Sequence, residues 1–100
     1  MRDPRRALDE CTGFEWDNGN SEKNWVTHGV ACGEAEEVFF NDPLVAGTDS
    51  SHSQNEPRYF VLGHTNKGRR LFVAFTLRGK RIRVISARDM KRRELREYGA

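Results

Sequence analysis

The sequence predicts one α+β domain, in which a small antiparallel β-sheet is flanked by two short N-terminal helices and a C-terminal helix. Three β-rich segments between residues 59 and 86 are separated by tight turns and predict a three-stranded meander. Before and after this meander, apolar spacing and capping residues predict the helices. The chain has 100 residues, which is enough for one modest core. We therefore expect a loose N-terminal extension over residues 1–12 and a single domain over residues 13–100.

The start of the domain predicts a short strand followed by a helix. Residues 14–17 alternate apolar and acidic side chains, as a half-buried strand does. After a turn at residues 18–20, Ser21 is a suitable N-cap for a helix that ends at His28. Gly29 comes next, and glycine readily adopts the left-handed conformation that terminates a helix.

A second short helix and a second short strand are expected next. A helix over residues 33–39 has one apolar stripe, because Ala35, Val38 and Phe39 fall on the same face. The Asn-Asp-Pro sequence that follows ends this helix, and residues 44–46 fit a short strand. These elements add one or two short N-terminal strands to the meander.

The C-terminal half predicts the meander and the last helix. The meander strands are expected over residues 59–64, 71–76 and 82–86, with a glycine-containing turn after each of the first two. The middle strand is apolar at successive positions, which indicates a place at the centre of the sheet. After the last strand, Asp89 is a suitable N-cap for a helix over residues 90–98.

The charges are divided unevenly along the chain. Residues 1–57 carry four Lys/Arg and twelve Asp/Glu, a net charge of −8, whereas residues 58–100 carry thirteen and three, a net charge of +10. A basic segment of this density on strands and a helix is typical of proteins that bind a polyanion. The alternative is a solvated face that pairs with the acidic half of the same chain, and charge alone does not decide between the two.

Nothing in the sequence indicates a membrane segment or a secretory signal. No apolar run approaches the roughly 20 residues of a membrane-spanning helix, and the first dozen residues lack the apolar stretch of a signal peptide. We therefore expect a cytoplasmic protein, with Cys11 and Cys32 as reduced thiols. The usual metal-binding and phosphate-loop motifs are missing from the sequence, so we expect no metal site and no cofactor.

A series of short motifs runs along the chain from Phe14 to Tyr98. It consists of Phe14-Glu15-Trp16-Asp17, Asn24, His28-Gly29-Val30, Glu34-Ala35, Val38-Phe39, Asp42-Pro43, His52-Ser53, Arg58, Leu62-Gly63, Gly68-Arg69, Ile82-Arg83 and Ile85-Ser86-Ala87-Arg88. Each motif is short, but in this order and at this spacing they resemble the BrnT family of bacterial toxins. The chain departs from the family pattern at Asn20 and Thr27, where family members often carry lysine.

The resemblance implies a fold and a function. The fold is RelE-like, with helices flanking an antiparallel sheet that cleaves RNA. The function is that of an endoribonuclease toxin of a type II toxin–antitoxin system, which blocks translation by cleaving RNA without a metal. The implied partner is a cognate antitoxin with a ribbon-helix-helix DNA-binding domain, which forms a hetero-oligomer with the toxin and neutralises it. The missing lysines would lower the activity, and Lys23 is the nearest substitute.

Cleavage of RNA by its own 2′-hydroxyl needs a base, an acid for the leaving 5′-oxygen and cations around the phosphorane. Arginine suits the last role, because its planar guanidinium donates two parallel hydrogen bonds to phosphate and keeps its charge near neutral pH. The sequence therefore predicts phosphate-binding arginines and separate proton carriers. The predicted catalytic residues are Arg58, Arg83, Arg88, His28, His52 and Glu56.

Each of these residues also has a purely structural interpretation. Arg58 and Arg83 lie on strands and would simply solvate a sheet face. Arg88 would bind carbonyl groups or an acidic residue near the start of the last helix. His28 would act as a helix cap, and the polar loop over residues 47–57 would carry His and Glu without using them.

Further cations and aromatic residues complete the predicted RNA-binding surface. The predicted RNA-binding cations are Lys23, Lys67, Arg69, Arg81, Lys91 and Arg92. Tyr59, Phe60 and Tyr98 would either stack unpaired bases or belong to the core. The other large aromatic residues occupy apolar positions of their elements and are assigned to the core: Trp16, Trp25, Phe39, Phe72 and Phe75.

Two other classes of function fit the same sequence. A non-catalytic RNA- or DNA-binding protein would use the same basic segment, and a protein-interaction module would use it to dock an acidic partner. The nuclease and the non-catalytic binder both predict an RNA affinity that falls with salt. Only the nuclease leaves new 5′-hydroxyl ends on the RNA.

Overall fold

The computed structural model describes residues 4–49 and 56–99. Within these residues the chain forms four helices and five strands. The helices are α1 (Pro4–Asp9), α2 (Asn18–His28), α3 (Cys32–Val38) and α4 (Arg92–Tyr98). The strands are β1 (Gly13–Phe14), β2 (Val45–Thr48), β3 (Tyr59–His64), β4 (Arg70–Arg78) and β5 (Arg81–Asp89). None of the described helices is long and apolar enough to span a membrane.

The described strands form one five-stranded sheet in the order β1-β5-β4-β3-β2. The short β1 runs parallel to β5, and all the other neighbouring strands are antiparallel. The predicted α+β class is therefore confirmed, with a C-terminal meander and two short strands from the N-terminal half. The apolar β4 lies at the centre of the sheet, between β5 and β3, as its sequence predicts.

One face of the sheet packs against α3 and the segment that joins α2 to α3, and this face forms the core. Val61, Val73 and Val84 are 0% exposed, and Phe75 is 1% exposed. Complete burial of a side chain of this size contributes about 1.5–3 kcal/mol to the free energy of unfolding. Because side chains alternate along a strand, the residues between these core positions point to the opposite face.

We call this opposite face the outer face. The side chains that alternation assigns to it in the three long strands include Phe60, Leu62, Phe72, Ala74, Arg83 and Arg88. The last helix, α4, packs on this face, because Glu94 binds Arg88 and Tyr98 binds His64. The sheet is thus covered by α3 and the segment before it on one side and only in part by α4 on the other.

The free edge of β5 is closed by side chains of α2. Asn20 Nδ2 donates a hydrogen bond to the Val84 carbonyl at 2.9 Å, and Asn24 Oδ1 accepts one from the Ala87 N–H at 3.0 Å. The two asparagines are only 5% and 2% exposed. Buried polar groups are almost always hydrogen-bonded, and these amides supply the bonds that a further strand would otherwise make.

β5 contains a β-bulge at Ile85. This residue has no partner in β4, whereas its neighbours on both sides are paired. Its carbonyl instead accepts a hydrogen bond from Lys23 Nζ at 3.3 Å. In a regular strand Arg83 and Arg88 would point to opposite faces, because they are five residues apart. The extra residue changes the alternation between them and turns both side chains to the outer face.

The N-terminal residues differ from the expected loose extension. The described part of residues 1–12 contains α1, in which Ala7 is 2% exposed and Leu8 packs against the core. The sequence does not predict this helix, because its six residues show no clear apolar periodicity. The proposed boundary at residue 12 therefore does not separate a structured part from an unstructured one.

The helix α2 begins at Asn18, three residues earlier than predicted. Asp17, not Ser21, is its N-cap: Asp17 Oδ1 accepts from the Asn20 N–H at 3.2 Å, and Asn20 Oδ1 accepts from the Asp17 N–H at 2.7 Å. This reciprocal capping box turns the predicted Asn-Gly-Asn turn into the first helical turn, and the predicted strand over residues 14–17 shrinks to β1. The end of the helix is as predicted, with Gly29 at a φ of 64°.

The other differences concern element ends and two residues assigned to the core. The short strand predicted over residues 44–46 is shifted to Val45–Thr48, and the last helix begins at Arg92 instead of Met90. Asp89 is not its N-cap, because Asp89 is the last residue of β5 and pairs with Arg69. Trp25, which was assigned to the core, is 61% exposed on α2, and Phe72, also assigned to the core, is half-buried on the outer face.

We expect Asn24→Ala to lower the free energy of unfolding by about 2 kcal/mol, because the Ala87 N–H is then left buried without a partner. Urea denaturation followed by circular dichroism measures this change. Thr27→Ala, an exposed position on the same helix, is the control and should change the free energy by less than about 0.5 kcal/mol. Equal effects of the two substitutions would show that the asparagine does not hold the strand edge.

Candidate nucleic-acid interface

The outer face brings together the three arginines that the sequence predicts as phosphate ligands. Arg83 and Arg88 share it because of the bulge at Ile85. Arg58 comes one residue before β3, and its carbonyl accepts from the Asp49 N–H at 2.8 Å, which continues the pairing of β2 with β3. Alternation therefore assigns Arg58 to the same face.

Arg83 is held by two carboxylates from the segment after β1. Its Nη1 lies 3.0 Å from Glu15 Oε1 and 3.0 Å from Asp17 Oδ2. The hydrogen bond from Arg83 is the main reason why the pKa of Asp17 lies below its ordinary value. The same bond, together with the bond to Glu15, raises the pKa of Arg83. The Arg83 side chain is 20% exposed, so it remains accessible from the outer face.

A second ion pair adjoins the first. Arg78 Nη2 lies 3.0 Å from Glu56 Oε1, and Arg78 Nη1 lies 3.7 Å from Glu15 Oε1. The predicted proton carrier Glu56 is therefore joined to Arg83 through Arg78 and Glu15. Neither Glu15 nor Arg78 is among the site residues predicted from the sequence. A signal was present for Glu15, since it alternates with apolar Phe14 in a strand-like segment and so had to face away from the core.

Arg88 binds the start of α4. Its Nη1 and Nη2 donate to the two carboxylate oxygens of Glu94 at 2.8 and 2.9 Å, and Nη1 also donates to the Asp89 carbonyl at 3.1 Å. The bond from Arg88 is the main reason why the pKa of Glu94 lies below its ordinary value. The alternative predicted for Arg88, an acidic partner near the start of the last helix, is therefore present in the structure.

Two aromatic rings, from β3 and β4, lie beside Arg88 on the outer face. The guanidinium carbon of Arg88 is 4.2 Å from the centre of the Phe72 ring, and the Phe72 and Phe60 rings are stacked at 5.6 Å and 15°. A Cβ atom at Gly47 would come within 2.6 Å of the Phe60 ring, so a side chain there would displace the ring. The result is a continuous row of packed groups that runs from β2 to β5 across the outer face.

A groove opens above these rings, and we call it the α4 groove. Its volume is about 610 Å³, within the range of about 300–1,000 Å³ that is common for small-ligand sites. Its lining combines aromatic, basic and acidic side chains with Thr48, the last residue of β2, and Asp49, which follows it. The lining residues are Thr48, Asp49, Phe60, Leu62, Phe72, Arg88, Lys91, Arg93, Glu94 and Glu97.

Of the two predicted histidines, His28 lies among the described residues, and it does not join the outer-face arginines. His28 is the last residue of α2, and its carbonyl accepts from Arg69 Nη2 at 3.2 Å. This contact lies on the core side of the sheet, because Asp89, the other partner of Arg69, alternates with outer-face Arg88. His52 lies outside the described residues, so its predicted role stays a prediction.

Arg69, which was predicted to bind RNA, pairs with two carboxylates and two carbonyl groups of the protein itself. It is 2.7 Å from Asp89 Oδ1 and 3.2 Å from Glu34 Oε2, and it donates to the carbonyls of His28 and Gly29. The bond to Asp89 is the main cause that raises the pKa of Arg69. These contacts tie the end of α2 and the start of α3 to the end of β5, which is a structural role.

The other predicted cations are exposed or line the groove. Lys91 lines the α4 groove, and Lys23 reaches the Ile85 carbonyl. The remaining three are exposed in the turn before β4, at the start of β5 and at the start of α4. These are Lys67, Arg81 and Arg92.

Only one of the three aromatic residues proposed to stack bases lies in the groove. Phe60 lines it, whereas Tyr59 is 4% exposed on the core face. Tyr98 anchors α4: its hydroxyl donates to the Pro43 carbonyl at 2.7 Å and lies 2.8 Å from His64 Nδ1. The phenol has one proton to donate, so His64 Nδ1 is the donor in that contact.

The departure from lysine at residue 20 has a structural explanation. Asn20 caps α2 through Asp17, and its Nδ2 donates to the carbonyls of Glu15 and Val84 at 3.1 and 2.9 Å. Lysine has no acceptor atom and could not make the capping bond to the Asp17 N–H. Thr27 is exposed on the same helix. Among residues 4–49 and 56–99 no group of three His, Cys, Asp or Glu side chains is arranged to hold a metal ion.

The fold and this face define a small α+β domain whose open sheet surface carries arginines and stacked aromatic rings. A family model described as the ribonuclease toxin BrnT of type II toxin–antitoxin systems matches residues 16–94. The chain therefore belongs to the BrnT family of ribonuclease toxins. The resemblance inferred from the sequence motifs is confirmed, and so are an RNA substrate and an antitoxin partner at the level of the family.

The fold comparison agrees with this assignment. A crystal structure of the ribonuclease toxin BrnT of Brucella abortus superposes with a TM-score of 0.59 at 22% sequence identity. The match covers 81% of this chain and 99% of that chain. At this identity the similarity shows that the two proteins share a fold. No curated protein sequence matches the chain.

We expect the stability of the protein to fall in acid, because Arg88 lowers the pKa of Glu94 below its ordinary value of 4.5. Ionised Glu94 therefore stabilises the fold above its unfolded-state pKa, and the stabilisation is lost as the pH falls through the lower folded-state pKa. Glu94→Gln should be less stable than the unchanged protein at pH 7 and lose less stability between about pH 5 and pH 3. Urea denaturation across this range measures both effects.

Glu22→Gln is the control for this experiment. Glu22 is exposed on α2 and forms no ion pair with a described residue, so its substitution should leave the pH profile unchanged. If Glu22→Gln and Glu94→Gln gave the same profile, the pair of Arg88 with Glu94 would not be the source of the acid sensitivity.

Proposed function

We propose that the protein is a metal-independent endoribonuclease that cleaves RNA on the outer face of its sheet and thereby blocks translation. The observation that carries this proposal is the bulge at Ile85, which brings Arg83 and Arg88 to the face where Arg58 also lies. Guanidinium groups suit both the phosphates of RNA and the negative charge that develops on the phosphorane. Membership of a ribonuclease toxin family supports the same conclusion.

Arg83 and Arg88 are held by different carboxylates at separate positions along β5. The register separates Arg83 from Arg88 by about four paired positions, or about 13 Å at the usual rise of a strand. We infer that they bind successive phosphates of one RNA strand that runs along β5. Arg58, which comes just before β3, would bind the same RNA strand from the β3 side of the outer face.

The ion pairs of the arginines are compatible with this role. A guanidinium carries several N–H donors, and Glu15 and Asp17 leave part of those of Arg83 available. Asp17 is 57% exposed, so a phosphate would compete with it in water for Arg83. We propose that Glu56 or Glu15, at the same end of the face, takes the 2′-hydroxyl proton once RNA is bound.

The antitoxin partner implied by the family supports a second part of the proposal. We propose that it is a cognate protein with a ribbon-helix-helix DNA-binding domain, which forms a hetero-oligomer with the toxin. By covering the outer face, it would exclude RNA and neutralise the nuclease. The substrate and the antitoxin would both meet the toxin in the cytoplasm.

We expect Arg83→Ala to slow RNA cleavage about 100-fold, because its cationic contact to the developing charge is lost. Arg88→Ala should weaken RNA binding, because a contact to the next phosphate is lost. Cleavage of a fluorescent RNA in EDTA measures the rate, and mapping of the new 5′-hydroxyl ends identifies the reaction. Arg6→Ala is the control, since Arg6 is exposed on α1 and lies outside the outer face. Unchanged cleavage in Arg83→Ala, or a loss of wild-type cleavage in EDTA, would contradict the proposal.

We expect expression of the protein without its antitoxin to arrest bacterial growth. Arg83→Ala should relieve the arrest while the protein accumulates to the same level, and Arg6→Ala should not. Colony counts after induction, with immunoblotting for protein level, measure the two effects. Arrest by Arg83→Ala equal to that of the unchanged protein would mean that toxicity does not come from the outer-face arginines.

A further inference from the structure

Two arginines of the outer face converge on one oxygen atom of Glu15. Glu15 Oε1 lies 3.0 Å from Arg83 Nη1 and 3.7 Å from Arg78 Nη1. Arg83 points to this face because of the bulge at Ile85. Arg78 points there because it follows Leu77, which packs against the core. The two guanidinium groups therefore share a single anion position at the surface.

Each of the two arginines also has a carboxylate of its own. Asp17 Oδ2 lies 3.0 Å from Arg83 Nη1, and Asp17 Oδ1 accepts from Arg83 Nη2 at 3.3 Å. Glu56 accepts from Arg78 Nε and Nη2 at 3.2 and 3.0 Å. Asp17 is itself fixed by the capping box at the start of α2. Both guanidinium groups would therefore stay in place if the Glu15 carboxylate moved away.

The Glu15 carboxylate is held only by these two arginines. Within residues 4–49 and 56–99 its side chain makes no other hydrogen bond or ion pair, and it is 31% exposed. The Glu15 backbone is fixed independently, because its N–H donates to the Ile82 carbonyl and its carbonyl accepts from Asn20 Nδ2. Partly exposed ion pairs contribute little to stability. The carboxylate can therefore be replaced without disturbing the strand that carries it.

A phosphodiester of RNA matches the carboxylate that it would replace. Both groups carry one negative charge and offer acceptor oxygens, so the exchange leaves the charge of the cluster unchanged. Guanidinium groups donate to such oxygens at about 2.7–2.9 Å. Arg83 Nη1 already lies close to this distance, and Arg78 would have to approach by only about 1 Å.

We propose that Arg78 and Arg83 together bind the phosphate at which the RNA is cleaved, and that Glu15 occupies this position until RNA displaces it. Glu15 is thus an internal substitute for the phosphate, and Arg78 is a second phosphate-binding arginine beside Arg83. Once Glu15 is displaced, Glu56 remains next to the phosphate as the base for the 2′-hydroxyl. This inference rests on the proposed function, since it assumes that RNA is cleaved on the outer face.

Binding of uncleavable RNA tests the displacement. The probe is a fluorescent 2′-O-methyl decamer of uridine, and fluorescence anisotropy at constant salt measures its Kd. Glu15→Gln should bind the probe about threefold more tightly than the unchanged protein, because the phosphate no longer competes with a tethered carboxylate. If Glu15 served only to hold Arg83 in place, the same substitution would weaken binding.

Glu97→Gln is the matched control for the loss of a negative charge. Glu97 is exposed and lines the α4 groove, so its substitution removes the same charge from the same side of the sheet without touching the arginine pair. At physiological salt it should change the Kd by less than about 1.5-fold, because salt screens exposed charges that are not in contact. Equal tightening by both substitutions would overturn the proposal.

Arg78→Ala tests the second arginine. This substitution should weaken binding of the probe about fivefold and reduce the slope of log Kd against log salt by about 0.7, the value of one phosphate contact on a single strand. Arg78→Lys keeps the charge and should keep the slope. Arg6→Ala removes an exposed arginine of α1 and should leave the Kd and the slope unchanged.

The proposal is overturned if Glu15→Gln binds the probe no more tightly than the unchanged protein, or if Arg78→Ala keeps the full slope. Because the probe cannot be cleaved, this result is independent of the cleavage assay. Tighter binding by Glu15→Gln, in a protein that leaves ordinary RNA intact, would contradict only the nuclease proposal. Cleavage of ordinary RNA without tighter binding by Glu15→Gln would contradict only this one.

Discussion

The arrangement of the outer face depends on the way α2 closes the edge of β5. A buried strand edge must have its N–H and C=O groups bonded, and Asn20 and Asn24 provide those bonds from a helix. They hold β5 on both sides of its extra residue, Ile85, and so they hold the register in which Arg83 and Arg88 share a face. Loss of this extra residue from the pairing would turn one of these arginines toward the core.

Ion pairs within the chain occur on both faces of the sheet. On the core side, Arg69 pairs with Asp89 and Glu34 and binds helix-end carbonyls, so it joins three elements. On the outer face, Arg83 pairs with Glu15 and Asp17, and Arg88 pairs with Glu94. Pairing within the chain, one of the two interpretations of the charge pattern, therefore applies to all three arginines, and their side chains stay 20–28% exposed.

Much of the fold could be predicted from local sequence, because strand composition and helix-ending glycine are local signals. β3 has the predicted bounds, and Gly29 ends α2 as expected. The rest depended on partners distant in the chain. The bulge at Ile85 exists only relative to β4, the capping box of Asp17 competes with a plausible turn, and Trp25 lies on a helix whose buried side is made of asparagines. Hence the arginines were predicted individually, whereas Glu15, Phe72 and Glu94 around them were not.

The absence of a side chain at Gly47 has a consequence for the whole width of the sheet. Phe60 rests on that bare backbone, Phe72 rests on Phe60, Arg88 rests on Phe72, and Glu94 carries the series into α4. The position of each group is therefore fixed by contact with the group before it. A methyl group added at Gly47 would therefore displace the Phe60 ring, and the displacement would pass through Phe72 and Arg88 toward α4.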